Sequence, residues 1–172
     1  MSANPLSDDR VHFFPEERMR AKVAAAFEHH RQCLSKLLPE AECHHIGSTS
    51  VAGALTKGDL DIQVRVRAEE FPQADAILTK HYDRNITSTH TPTFSSFKDD
   101  RAAPPLGIQV TVIGGAEDHF VALRDYLVAH PEANERYNRL KRSFEGASMD
   151  EYRAAKSAYI ATLLSGIRER SP

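Results

Sequence analysis

The chain contains little of what marks several large classes of protein. Only two of its 172 residues are cysteines, and Cys33 and Cys43 form neither a disulfide framework nor a zinc-binding spacing. No apolar run approaches the roughly 20 residues that a membrane-spanning helix needs, and residues 1–10 lack the apolar core of a signal peptide. We therefore expect a cytoplasmic protein with free thiols and no membrane partner.

The chain also lacks an excess of charge of either sign. It has 22 lysines and arginines against 24 aspartates and glutamates, which gives a formal net charge of −2. This balance gives no support to a nucleic-acid coat or a membrane-surface protein, and it disfavours a long nucleic acid as a partner. A length of 172 residues suits one domain with a sizeable core, so we expect a single domain over residues 1–172.

The spacing of apolar residues predicts an α+β fold. After an irregular arm over residues 1–14, a helical stripe begins at Pro15 and ends before Pro39. Strict alternation of apolar and polar residues over 59–67 predicts a half-buried strand. Residues 117–169 predict a helical tail, so the expected architecture is a small mixed β-sheet flanked by helices. Further strands are expected over residues 42–46, 82–87, 93–98 and 107–113, and a further helix over 69–80.

The most informative motif is Gly47-Ser48, followed a short distance later by Asp59-Leu60-Asp61. Alternate residues of a strand point the same way, so both carboxylates are expected on one face. Backbone N–H groups at a small-residue turn that opens a short helix can hold phosphate oxygens. Two carboxylates can hold Mg²⁺ against those phosphates. The motif therefore predicts a site for Mg²⁺ and the phosphates of a nucleotide.

Two better-known motifs do not fit this stretch. Lys57 is not part of a Walker sequence, because Gly-Lys-Ser/Thr is absent, and the run that begins at Gly47 is not Gly-x-Ser-x-Gly. Lys57 lies just before the acids and either contacts phosphate or pairs with Asp59. His44 and His45 precede the turn, and we interpret them as side chains packed beneath it rather than as metal ligands.

Residues 45–66 resemble the GrpB-like family of the nucleotidyltransferase superfamily, whose signature is Gly-Ser followed by Asp-x-Asp. The resemblance continues through the helical tail and covers roughly residues 10–168. Its further parts are the Phe-Arg-Asp-Tyr-Leu-like helix at residues 120–127, the pair His130-Pro131, and the tail segments 137–141 and 155–160.

The resemblance implies a nucleotidyltransferase-like fold and an activity. That activity is Mg²⁺-dependent transfer of a nucleotidyl group from a nucleoside triphosphate to an acceptor that the sequence does not identify. Asp59 and Asp61 match the catalytic metal pair, which would hold one or two Mg²⁺ ions. Gly47 and Ser48 match the phosphate-binding turn. Lys57 and Lys156 are the lysines that we assign to the nucleotide phosphates, the second because the superfamily places a lysine on a later helix.

The chain departs from the superfamily pattern in one respect. A third carboxylate is expected on a neighbouring strand, and the best candidate strand, over residues 107–113, carries Gln109 and Thr111 instead. Glu117 or Asp118, just beyond it, could substitute. The alternative to an enzyme is therefore a catalytically degenerate nucleotide-binding or interaction module on the same fold.

Three basic residues of the helical tail have two interpretations each. Lys156 contacts the triphosphate or is a solvated lysine beside a core tyrosine. Arg124 and Lys141 point into the cleft or form ion pairs on the helix surface with Asp125 or Glu145, and we prefer the surface pairs because such pairs are common on helices.

Overall fold

The computed structural model describes residues 9–170 of the chain, and within that range it contains seven strands and five α-helices. None of these helices is long and apolar enough to cross a membrane. The strands are β1 (Phe14–Pro15), β2 (Glu42–Ile46), β3 (Leu55–Thr56), β4 (Leu60–Val66), β5 (Asp83–Arg84), β6 (Phe94–Asp99) and β7 (Leu106–Val112). The helices are α1 (Arg20–Leu37), α2 (Phe71–Leu78), α3 (Phe120–Ala129), α4 (Pro131–Ser143) and α5 (Met149–Arg170). Single 3-10 turns cover Glu16–Arg18, Ser48–Ser50 and Ala68–Glu70.

The main sheet has five strands in the order β2-β4-β7-β6-β5. The central strands β4 and β7 run parallel, whereas every other neighbouring pair in this sheet is antiparallel. A separate two-stranded ribbon joins β1 to β3. The predicted small mixed sheet flanked by helices, and with it the α+β class, is confirmed.

The strand β4 lies at the centre of the fold. Leu60, Ile62, Val64 and Val66 are buried on one face, where residues of α1 and α2 complete the larger apolar core. Gln63 on the opposite face is also fully buried, because α3 begins there and its Val121 N–H donates to Gln63 Oε1. The predicted half-buried strand is therefore confirmed at Asp61 and Arg65, which stay partly exposed, and fails only at Gln63, where α3 covers the polar face.

The three helices of the tail pack around the segment between β2 and β4. Their apolar side chains form a second, smaller core with Val51 and Ala54 of that segment. The tail residues of this core include Leu127 of α3, Tyr137 of α4 and Ile160 of α5. This packing brings the predicted helical tail over the Gly47-Ser48 turn.

The N-terminal part of the chain differs from the prediction. Pro15 pairs with Leu55 in the β1–β3 ribbon, so the main helix α1 begins only at Arg20. Residues 1–8 of the expected arm lie outside the described residues. Within the part that is described, Val11 is fully buried, and its backbone N–H and C=O bond to residues 147 and 146 of the segment before α5.

A polar network fixes the start of α3 against the sheet. The guanidinium of Arg65 donates to both carboxylate oxygens of Asp118, at 2.7 Å each, and Gln63 Nε2 donates to the same carboxylate at 2.9 Å. The backbone N–H of Gly114 adds a fourth donor at 2.8 Å. The hydrogen bond from Arg65 lowers the pKa of Asp118 against the opposing effect of burial, and the bonds from Gly114 and Gln63 add to the lowering. The network therefore depends on an ionised carboxylate.

We expect Asp118→Asn to destabilise the protein by about 1.5–3 kcal/mol, because hydrogen bonds to a charged and nearly buried group are lost. Urea unfolding at pH 7 measures the effect. Because the folded-state pKa is lowered, this stabilisation is present above the unfolded pKa of the carboxyl and fades as the pH falls through its folded pKa. Asp100→Asn, which removes an exposed ion pair with Lys98, is the control and should stay within about 0.5 kcal/mol. Equal losses for the two variants would contradict this account of Asp118.

Candidate functional site

The Gly47-Ser48 turn leaves β2 and is tied to the start of β4. Gly47 adopts a left-handed conformation with φ of 76°, which favours glycine, and the predicted short helix is the 3-10 turn Ser48–Ser50. Thr49 Oγ1 donates to the carbonyl of Asp59 at 3.0 Å, and the ring of His45 lies 3.0 Å from the same hydroxyl. Burial, assisted by the charge of Arg124, lowers the pKa of His45 to about 4. His45 is therefore a neutral side chain packed beneath the turn, as predicted.

The carboxylate of Asp61 lies between two glycines. The residue pairs with Ile46 of β2 on one side and with Gly107 of β7 on the other. A methyl group on Gly47 would lie 2.6 Å from Asp61 Oδ2, and one on Gly107 would lie 2.7 Å from Oδ1. The absence of both side chains leaves room for this carboxylate at the junction of three strands.

The two acids of the motif differ in their partners. Asp59 is paired with Lys57, whose Nζ lies 3.1 Å from Asp59 Oδ2. Asp61 has neither a hydrogen bond nor an ion pair with any other residue in the described range. Desolvation raises the pKa of Asp61, while the charge of Lys156 opposes this shift and that of Asp59 adds to it. The structure thus holds a carboxylate without a direct hydrogen-bond or ion-pair partner, which a bound cation would stabilise.

A cleft of about 310 Å³ opens in front of Asp61, between the turn, the start of β4 and the helices α3 to α5. All six residues that the sequence singled out line it together: Gly47, Ser48, Lys57, Asp59, Asp61 and Lys156. Lys156 as a whole residue remains exposed, although desolvation around its ammonium lowers its pKa and Asp61 opposes that shift. The structure brings the residues together, and their roles stay predictions.

Lys141 takes the interpretation that the sequence did not favour, since it points into the cleft. Its side chain is only 1% exposed, and Nζ donates to Ser48 Oγ at 2.8 Å and to the carbonyl of Leu55 at 2.6 Å. The preferred interpretation, an ion pair on the helix surface, was therefore wrong for this residue. Burial, with repulsion from Lys156, lowers the pKa of Lys141 to about 7. A signal existed, because Lys141 follows the inward-facing Tyr137 by one helical turn.

Arg124 forms the predicted surface pair with Asp125, and it also forms a contact at the cleft that was not preferred. Its Nε donates to Asp125 at 2.8 Å, which is the expected surface pair. Its Nη1 also donates to the backbone carbonyl of His45 at 2.9 Å, and the residue lines the cleft. Arg124 therefore ties α3 to the end of β2 next to the turn.

Among residues 9–170, no third carboxylate lines the cleft beside Asp59 and Asp61. Asp118 is held by Arg65, and Glu117 accepts a hydrogen bond from Thr93 Oγ1 at 2.9 Å, so neither acid lines the cleft. Neither acid therefore takes the place of the missing carboxylate, an alternative that the sequence had left open. Of the predicted positions on β7, Gln109 faces the cleft, whereas Thr111 is buried and accepts a hydrogen bond from Gln63. Residues 9–170 contain no group of three or more His, Cys, Asp or Glu arranged to hold a metal.

Comparison with solved structures shows the class of fold. The chain superposes on Cid1 poly(U) polymerase, solved with Mg and 3'-dATP, with a TM-score of 0.50 and 16% identity, over 72% of this chain and 39% of that one. It superposes on the conserved protein GrpB from Enterococcus faecalis with a TM-score of 0.68 and 20% identity, over 86% of this chain and 93% of that one. The fold is therefore that of the nucleotidyltransferases, as the sequence predicted.

The chain belongs to the GrpB family, whose description is "GrpB protein" and which it matches over residues 17–165. It is 33% identical over 160 residues to a UPF0157 protein of Vibrio cholerae, covering 92% of this chain and 85% of the relative. It is 28% identical over 151 residues to a UPF0157 protein of Deinococcus radiodurans, covering 85% of this chain and 78% of the relative. The family resemblance drawn from the motifs is confirmed.

We expect Gly107→Ala to destabilise the protein by about 1–3 kcal/mol, because its methyl group would overlap Asp61 Oδ1 and displace the carboxylate. Gly166→Ala is the matched control. Gly166 lies within α5 with no atom near an added methyl group, so alanine should stabilise by up to about 1 kcal/mol. Thermal and urea unfolding of both variants measure the difference. A neutral or stabilising Gly107→Ala would contradict the clamped position of Asp61.

Proposed function

We propose that the cleft binds a nucleoside triphosphate together with Mg²⁺. The observation that carries the proposal is the Asp61 carboxylate, which faces the cleft without a protein partner while the phosphate-turn residues Gly47 and Ser48 line the same cleft. A carboxylate that is partly removed from water and left unpaired is unfavourable by itself. A bound cation would neutralise it and attract the phosphates of a nucleotide.

The basic residues of the cleft support a phosphate-bearing ligand. The ammonium of Lys141 donates a hydrogen bond to Ser48, and Lys57 and Lys156 line the same cleft. Ammonium groups and backbone N–H groups at a helical turn are the usual partners of phosphate oxygens. Three lysines and two carboxylates in one cleft fit an anion that arrives with its own divalent cation.

The acids fit one Mg²⁺ ion that shares its ligands with the nucleotide. Mg²⁺ in proteins is commonly held by one or two carboxylates plus substrate phosphates and water. Asp59 and Asp61 would supply the carboxylates here, and Asp59 would exchange Lys57 for the cation. When bound, the ion would neutralise charge on the phosphates and orient them. Because no third acid lines the cleft, we expect weak binding of Mg²⁺ in the absence of a nucleotide.

The second candidate function is transfer of a nucleotidyl group to an acceptor. The presence of both Asp59 and Asp61 favours it, since these acids match the catalytic pair of the superfamily. Gln109 on the neighbouring strand favours binding without transfer, because an amide cannot replace a carboxylate as a metal-bridging or proton-accepting group. The two candidates share the nucleotide and differ in the release of pyrophosphate.

We expect the unfolding midpoint of the wild-type protein to rise with at least one nucleoside triphosphate in the presence of Mg²⁺, because a ligand that binds only the native state stabilises it. A ligand at 100 times its Kd adds about 2.7 kcal/mol. Asp61→Ala should abolish the rise. Thermal unfolding with ATP, CTP, GTP and UTP, each with and without Mg²⁺, measures it.

Asp99→Ala is the control, since Asp99 pairs with Leu106, whose side chain lies in the larger apolar core, and does not line the cleft. No shift with any triphosphate at millimolar concentration would overturn the binding proposal. Pyrophosphate release, measured on the same samples with candidate acceptors, decides between binding and transfer.

We expect the affinity for the triphosphate to fall as the pH rises from 6 to 8.5, by up to about tenfold per pH unit, the limit for one proton. Burial lowers the pKa of Lys141 to about 7, so its ammonium loses its proton within this range and with it the attraction for phosphate. Lys141→Met should bind more weakly at pH 6 and show a flatter profile. Calorimetric titration of both proteins measures the difference.

The pH dependence of stability in the unliganded protein tests the lowered pKa of Lys141 independently. The pKa of Lys141 is about 7 in the folded protein and has its ordinary value of 10.5 in the unfolded chain, so the unfolded chain binds more protons between pH 7 and pH 10.5. Stability should therefore rise with pH across that interval in the wild type, and less so in Lys141→Met. Identical pH profiles for the two proteins would contradict the assignment of a neutral buried amine.

A further inference from the structure

The helix α4 presents a row of buried side chains to the cleft and to the turn segment. Asn134 lies three and four residues before Tyr137 and Asn138, Lys141 lies four and three residues after them, and all four are buried. At a rise of about 1.5 Å per residue, Asn134 lies roughly 10 Å along the helix from Lys141. That span is of the order of the reach from the outer phosphates of a nucleoside triphosphate to its sugar.

The two asparagines of this row differ in how their polar atoms are used. Asn138 is fully engaged: Oδ1 accepts from Leu55 N–H at 2.8 Å and Nδ2 donates to the Gly53 carbonyl at 2.8 Å. Asn134 Nδ2 donates to the Ala52 carbonyl at 3.3 Å, but its buried Oδ1 has no partner. Asn134 is only 6% exposed, and it lines the cleft. A buried acceptor without a donor is costly for the folded protein, and native structures contain few of them.

The same cleft contains a second such atom. His119 Nδ1 is buried without a partner, and its ring stacks on Phe120 with centroids 4.5 Å apart. Three buried side-chain atoms lack partners in the described part of the chain, and two of them belong to residues that line this cleft. Their concentration there indicates that the cleft is built for a ligand with polar groups of its own.

The surroundings of Asn134 are apolar. Val51, Ala54, Leu127, Tyr137 and Ile160 belong to the smaller hydrophobic core and also line the cleft. Lys141 lies at the other end of the α4 row from Asn134, and its ammonium donates to Ser48 of the phosphate turn. The cleft therefore has one end that suits phosphates and one end that suits a neutral, partly apolar group.

We propose that the apolar end of the cleft is a nucleoside subsite in which Asn134 Oδ1 accepts a hydrogen bond from the sugar or base of the ligand. The proposal rests on the proposed function, which supplies the triphosphate end. A carbonyl oxygen can only accept, so it selects a hydroxyl or an N–H group and rejects a second anionic group at that position. The subsite would make the protein prefer nucleoside triphosphates over bare triphosphate.

The test compares Asn134→Leu with the wild type, using the four ribonucleoside triphosphates and inorganic tripolyphosphate, each with Mg²⁺. We expect the variant to bind the preferred nucleotide at least about tenfold more weakly, because the ligand donor is left without its acceptor. Its affinity for tripolyphosphate should stay within about twofold of the wild type, because that ligand does not reach the subsite. Calorimetric titration measures both affinities.

The unfolding midpoint of the unliganded proteins supplies a readout that a merely structural asparagine would not give. Asn134→Leu should lower the midpoint less than Asn138→Leu, because it removes an unpaired buried carbonyl together with one long hydrogen bond to Ala52. Asn138→Leu is the matched control on the same helix. It should lower the midpoint, because Leu55 N–H and the Gly53 carbonyl lose their partners.

Deoxynucleotides distinguish the two sources of the donor. If a ribose hydroxyl is the donor, the wild type binds the 2'-deoxy or 3'-deoxy form of the preferred nucleotide at least about tenfold more weakly, and Asn134→Leu removes that difference. If a base N–H is the donor, both deoxy forms bind as well as the parent, and Asn134→Leu removes the preference among the four bases.

Two results would overturn the subsite, and they differ from failure of the proposed function. Wild-type protein that binds tripolyphosphate as tightly as every nucleotide has a phosphate site but no nucleoside subsite. Asn134→Leu that binds the preferred nucleotide like the wild type, or loses tripolyphosphate equally, shows that Asn134 does not contact the ligand. Absence of binding by every triphosphate, tripolyphosphate included, overturns the proposed function and the subsite together.

Discussion

The position of one carboxylate organises the site of this GrpB-family protein. Asp61 lies where β2, β4 and β7 meet, and the backbones of Gly47 and Gly107 approach it from both sides. This close approach requires the antiparallel register of β2 and the parallel register of β7 at the same residue. A side chain at either glycine, or a slip of one residue in either strand, would remove the carboxylate from the mouth of the cleft.

The site contains polar and charged groups in surroundings that lower the stability of the folded protein. Asp61 is partly desolvated without a partner, Lys141 is buried as an amine whose pKa has fallen to about 7, and Asn134 holds an acceptor with no donor. Each of these groups would be more stable in water. These three residues line one cleft, whereas Asp118 and Asn138, which do not line it, are fully paired within the protein.

The missing third acid bears on what the protein does with its ligand. In the parallel register, Gly107 lies beside Asp61 and Gln109 lies beside Gln63, so the strand that could carry another carboxylate presents a glycine and an amide. Gly107 cannot carry a larger side chain without displacing Asp61. Two acids remain, which suit one Mg²⁺ that also takes phosphate oxygens as ligands. The geometry thus accounts for nucleotide binding more directly than for transfer.

Local patterns in the sequence determined the order of the five α-helices and of the five strands of the main sheet, the face of β4 that enters the main core, and the spacing of Gly47-Ser48 from the two acids, but not the ribbon of β1 and β3. These predictions succeeded because the spacing of apolar residues and the residue preferences of turns depend on residues that are close together in the sequence. Whether Asp118 reaches the acids, whether Gln63 is covered and where Lys141 points were decided only by tertiary structure. Lys141 meets Ser48 across 93 residues, and Asp118 meets Arg65 across 53. Whether a helix residue is exposed or buried depends on which distant segment packs against it. The spacing of apolar residues within the helix does not contain that information.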